Sequence, residues 1–164
     1  MKTQFLRCAI CLLLSFIFIQ CHTQSPMQTT DNHVYVFRLK PGQDLKKEID
    51  YFVDAHHIEA GYIITCVGSL THTNMRYANQ QQGWAMVGRF EIVSLVGTVS
   101  INGSHLHLSV SDSTGRTTGG HLLEGNIIYT TAEIVIGESK DLEFTREKDG
   151  STPWEELHVR KKGE

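Results

Sequence analysis

Three histidines fall within a seventeen-residue window, His105 and His107 two apart and His121 beyond a glycine-containing stretch. Around the first two, Gly103-Ser-His105-Leu-His107-Leu-Ser-Val110 alternates polar and apolar residues, the period of a β-strand. Both imidazoles then share one face, and Leu106 and Leu108 take the other. Gly115, Gly119 and Gly120 allow the chain to reverse tightly and bring His121 alongside the pair. Three neutral imidazoles suit Zn²⁺ or another divalent metal, with a fourth position open for water, a carboxylate or a small ligand. Asp112 and Glu124 are the nearest carboxylates in sequence. Either is a candidate fourth ligand, a partner that fixes an imidazole tautomer, or the general base for a metal-bound water. The competing reading is structural: histidines on a half-buried strand that satisfy backbone carbonyls, in a non-enzymatic interaction module. The other six histidines are scattered, and His56-His57 sits on a helix without a sequence partner.

Other chemistries find no support. There is no G-x-S-x-G, no phosphate loop and no dinucleotide fingerprint. Ser104 and His105 are adjacent on a strand and point apart, so they are no nucleophile and base. Trp84 and Trp154 read as core or interface aromatics. Cys66, alone in an apolar run, reads as a small buried hydrophobe.

The elements that must position the histidines follow from periodicity. Val34 to Leu39 alternates and is stopped by Pro41-Gly42. Asp44 caps a helix from Leu45, with Leu45, Ile49, Phe52, Val53 and His56 on one face. Lys46, Lys47, Glu48 and Asp50 face away, and Gly61 reads as the helix end. Strands are expected at 62–67, closed by Gly68-Ser69, and at 71–78, 89–95, 96–101, 105–111 and 126–136. Leu142 to Arg146 is expected as the last strand. Many strands and one helix predict an α+β domain on a mostly antiparallel sheet.

The chain has 164 residues, 40% of them hydrophobic, enough for one domain with its own core. Its net charge is −3, and −5 without the first twenty residues, which hold Lys2 and Arg7 but no acid. Such a body has no bulk attraction to nucleic-acid phosphates. Residues 1–21 read as a signal peptide: a basic start, then an apolar run from Cys8 to Ile19 that is short for a membrane span. Cys21 resembles the lipid-modified cysteine of bacterial lipoproteins, although Gln20 and Phe18 depart from that pattern. The expected product is exported, periplasmic or membrane-anchored through Cys21. A flexible tether at 22–32, a domain at 33–159 and a solvated tail at 160–164 complete the expected organisation.

Val67-Gly-Ser-Leu70, the run Gly88-Arg-Phe-Glu-Ile-Val-Ser-Leu-Val-Gly97-Thr, and the His-Leu-His and Gly-Gly-His-Leu blocks occur in this order. Together they resemble the PPC domain of plant AT-hook proteins and of small stand-alone prokaryotic proteins. The resemblance runs from about Val34 to Leu157. It implies an antiparallel sheet with one flanking helix, a homotrimer, and a family that carries a DNA-binding label. The chain has no AT-hook, and an exported product would not meet the nucleoid. The histidine triplet resembles the metal site of the prokaryotic branch, which implies His105, His107 and His121 as ligands. Arg89, Glu91, Glu133 and Arg146 also fall at characteristic family positions, as a ligand site or as trimer-interface and strand-pair charges. A partial match to the first cupin motif, His105-x-His107-x₄-Asp112-x₆-Gly119, has Asp112 in place of Glu and Val99 in place of Gly. It also lacks a Pro before Gly119, and the helix ahead of the strands fits the PPC pattern better.

Overall fold

The structure, a computed structural model, describes residues 31–163. The expected signal segment, Cys21 and the expected tether up to Thr30 lie outside the described residues. The elements run β1 (Asn32–Leu39), α1 (Leu45–Ala55), β2 (Gly61–Arg76), β3 (Trp84–Ser100), β4 (Gly103–Asp112), β5 (Thr117–Leu122), β6 (Ile127–Ser139), β7 (Leu142–Glu147) and β8 (Glu156–Lys161). Six strands form an antiparallel sheet in the order β1-β6-β2-β3-β4-β5. β5 also pairs with the far end of β2, so β2 to β5 close on themselves there. β7 and β8 form a separate antiparallel hairpin. The α+β class with a mostly antiparallel sheet is as expected.

Asp44 starts α1 as expected. Its Oδ1 accepts from the N–H groups of Lys46 (3.0 Å) and Lys47 (3.3 Å), two of the donors a helix start leaves unpaired. Its Oδ2 accepts from the Gly125 N–H at 2.6 Å, which ties the helix start to the β5–β6 connection. Leu45, Ile49 and Val53 are buried and pack with Leu70, Leu106, Leu108, Ile134 and Ile136 in one core. Phe52 is half-buried and stacks on Phe37 and His56. Cys66 is buried, and burial pushes its thiol up to about 12. No helix among the described residues is long and apolar enough to cross a membrane.

Several expected boundaries move. The helix ends at Ala55 with His56 as its cap, and Gly61 begins β2 instead of closing the helix. The strands expected at 62–67 and 71–78 are one strand, bent by register shifts between Ile63 and His72. Those expected at 89–95 and 96–101 are likewise one strand, because Gly97 marks a close backbone approach and not a turn. Gly119 and Gly120 lie within β5, and only Gly115 is in the turn. A Cβ at Gly120 would come to 2.7 Å from the Arg76 carbonyl oxygen, so the missing side chain lets β5 close against β2. β8 follows the strand expected to be last and includes Arg160 and Lys161 from the expected tail. Arg160 pairs with Glu147 at 2.8 Å, and Lys162 pairs with Glu59. Lys46 and Asp50 do not simply face solvent: Lys46 Nζ donates to Ser104 Oγ (3.1 Å), which donates to Asp50 Oδ1 (2.9 Å). Trp84 and Trp154 are exposed, not core.

Candidate metal centre

The β4–β5 hairpin sets the histidine geometry. Asp112 Oδ1 accepts from the backbone N–H (2.8 Å) and hydroxyl (2.7 Å) of Thr114 and from the Arg116 N–H (3.1 Å). These bonds hold its carboxyl below the usual carboxylate range. The turn fixes the register, and that register places His107 directly opposite His121. His105 and His107 share the outer face of β4, while Leu106 and Leu108 are buried on the inner face. Ser104 turns toward α1, away from the imidazoles, as expected for a neighbour on a strand.

The three imidazoles converge. One ring nitrogen from each lies within 4.8 Å of the others. His105 Nε2 and His107 Nε2 are 3.2 Å apart. Two ligand nitrogens on a tetrahedral Zn²⁺ stand about 3.3 Å apart, given Zn–N bonds of about 2.0–2.1 Å. His121 Nδ1 is buried without a hydrogen-bond partner, and an unpaired buried nitrogen calls for a partner from outside the chain. Burial lowers the His121 pKa to about 4, helped by Arg76 and the neighbouring imidazoles. Burial also lowers that of His105, together with His107 and Arg146. The His105 and His121 rings are thus held neutral, the state in which imidazole ligates a metal. Donor type, convergence and the orphaned nitrogen all fit a divalent ion.

The sequence neighbours with carboxylates do not join them. Asp112 is the turn residue, five positions up β4 from His107, roughly 17 Å away at about 3.4 Å per residue. Glu124 is exposed and pairs with Lys47 at 3.1 Å. Neither serves as fourth ligand or general base in this fold. Of the other family-position residues, Arg89 lies over the Tyr129 ring at 3.9 Å. Glu91 faces Ser69 and Ser111 in the register, and Glu133 faces Arg38 and Val67, away from the triad. Only Arg146 reaches the histidine side.

What sequence reading missed is a cleft of about 630 Å³ that His105 and His121 help to line. Its other walls include Arg76 from β2, Arg146 from β7, and Lys148, Trp154, Glu155 and Glu156 from the β7–β8 hairpin. Arg76 stands directly opposite His121 across β2 and β5. Arg146 apart, no local motif marks these residues, since strands distant in sequence assemble the cleft.

A family model described as the Plants and Prokaryotes Conserved (PCC) domain matches residues 27–140. The chain belongs to the PCC domain family. The resemblance to the PPC domain is thereby established, and the cupin alternative falls. A hypothetical protein from Salmonella enterica shares the PCC fold with a TM-score of 0.80 and 38% identity, over 82% of this chain and 98% of that one. A metal-containing protein from Archaeoglobus fulgidus is similar in fold, with a TM-score of 0.66 and 22% identity, over 80% of this chain and 99% of that one. The Bifunctional protein GlmU of Synechococcus sp. (strain JA-3-3Ab) is 44% identical over 139 residues, 85% of this chain. This PCC chain spans only 22% of the length of that curated relative.

Proposed function

We propose that this PCC protein holds one divalent metal ion, Zn²⁺ by donor chemistry, on His105, His107 and His121, beside a cleft that admits a small molecule. The observation that carries the reading is the convergence of three imidazole nitrogens within 4.8 Å. The similar fold of a protein described as metal-containing supports it. Bound with an open position, such an ion would supply Lewis acidity and lower the pKa of a ligand water to about 7. The chain's own part is to keep the His105 and His121 rings neutral and to aim all three at one point. Metal analysis of the purified protein by mass spectrometry tests this, with one ion per chain expected. Absence of metal, with no gain in melting temperature on adding Zn²⁺, would overturn it.

The trimer expected from the family is proposed on a separate observation. On the sheet face away from α1, Val36, Val135 and Thr65 form one cross-strand row. Val34, Val36, Val67 and Val96 are all more than half exposed. Contiguous exposed apolar surface of this kind marks an association face. Sedimentation of the double variant V36K/V67K should show a shift from trimer to monomer. Export, and anchoring through a lipid on Cys21, remain part of the proposal on the strength of residues 1–21. A role in DNA binding has the net charge of −3 against it.

A further inference from the structure

We propose that the cleft binds a small organic oxyanion between Arg76 and Arg146, and that this anion and the metal ion bind with positive coupling. The coupling, though not the anion site, rests on the metal reading above. The register places both guanidiniums at the triad. Arg76 pairs with His121 across β2 and β5. Thr98 pairs with His105 across β3 and β4, and Arg146 Nη2 donates to Thr98 Oγ1 at 2.7 Å. The cations therefore flank the histidines on two sides.

Among the described residues, no carboxylate is in direct contact with these cations, and Arg76, Arg146 and Lys148 form no ion pair. Glu156 acts on Arg146 only at longer range. A guanidinium carries five N–H donors. Among the described residues the hydrogen bonds of Arg76 and Arg146 amount to one each, to Gln80 O (3.3 Å) and Thr98 Oγ1. The Trp154 ring lies 5.3 Å from the Arg76 guanidinium carbon and holds it at the cleft. Half-buried guanidiniums with most of their donors unfilled favour a ligand that supplies charge and acceptors, and an oxyanion matches the fork of an arginine. Glu155 and Glu156 on the same wall oppose a polyanion, which limits the ligand to a small acid. The coupling follows from charge. A divalent cation on the triad is repelled by the flanking guanidiniums, and an anion between them relieves that repulsion. By linkage the effect is reciprocal.

The test uses the full chain carrying W84F, which leaves Trp154 as its single tryptophan. Chelator-treated protein is titrated with propionate and with inorganic phosphate, and Trp154 emission is followed. A saturable change with either is expected, and the two arms tell a carboxylate from a phosphate ligand. R76M and R146M should each weaken binding about tenfold with the circular dichroism spectrum unchanged. Lys148→Met, at an exposed position, should weaken it by a smaller factor and replaces either arginine variant that fails to fold. Propionate should tighten Zn²⁺ binding several-fold, and R146M should abolish that gain. No saturable change with either anion, or unaltered affinity in the variants, would overturn the anion site while leaving the metal reading intact. Anion binding without Zn²⁺ binding would sink the coupling and the metal reading, not the anion site. Equal Zn²⁺ affinity with and without propionate would sink the coupling alone.

Discussion

Gly97 on β3 lies against the backbone of His105 on β4. A Cβ at residue 97 would come to 1.9 Å from the His105 carbonyl oxygen, and the glycine φ of +136° is one that side chains rarely adopt. The first histidine therefore owes its position to an atom that is missing on the neighbouring strand. Gly97→Ala should part β3 from β4 there, cost more than about 1 kcal/mol of stability, and weaken Zn²⁺ binding. Urea unfolding and metal titration of the same variant check both effects. Unchanged Zn²⁺ affinity would show that His105 is placed by other contacts.

Removing one imidazole should release the ion without unfolding the domain. His107→Ala should lower Zn²⁺ affinity by at least about tenfold, because three protein ligands are the usual minimum for a Zn²⁺ site. His121→Ala should do the same. It should also leave the metal-free protein no less stable, since the variant deletes a buried nitrogen that has no partner. Metal content and thermal melting of chelator-treated protein measure the two effects.

Acid should weaken the fold at Glu138, which is only 1% exposed. Its Oε2 accepts from the Tyr35 hydroxyl at 2.8 Å and pairs with Lys140 Nζ at 2.5 Å. Burial acts to raise its pKa, but Lys140, Tyr35 and the Glu59 N–H outweigh burial and hold it below the ordinary 4.5. A carboxyl depressed in the fold lends stability that is present above pH 4.5 and lost as pH falls through its folded value. Glu138→Gln should flatten this part of the stability profile. Urea midpoints from pH 7 to pH 3 test it, and an unchanged acid limb would refute it.

Thr73 on β2 is fully buried, and its hydroxyl has no hydrogen-bond partner. Thr73→Val keeps the shape and removes the unpaired group. It should raise stability by about 1 kcal/mol, seen as a higher urea midpoint at unchanged slope.

The sequence declared the histidines because a period of two needs only neighbours along one strand. α1 was equally legible, from Asp44 as cap and from Leu45, Ile49 and Val53 on one stripe. Legibility failed where the information is not local. Strands expected separately at 89–95 and 96–101 are one, because the close approach of Gly97 to the His105 carbonyl is a contact between strands that the local sequence does not reveal. Arg76 sits beside His121 only because β5 closes onto β2, forty-five positions away in the chain. β8 was hidden because it is exposed along nearly its whole length, without a buried face to impose an alternation.

The family match ends at residue 140, while Arg146, Lys148, Trp154, Glu155 and Glu156 come from the hairpin beyond it. The scaffold that aims the imidazoles and the wall that faces them are thus separate stretches of chain, joined where Arg146 donates to Thr98, where the Phe144 carbonyl accepts from Ser100 and Asn102, and where the Phe144 N–H donates to the Glu59 carbonyl. Such a division separates two tasks: the side chains of Arg146, Lys148 and Trp154 can be exchanged without touching the strands that set where the imidazoles point.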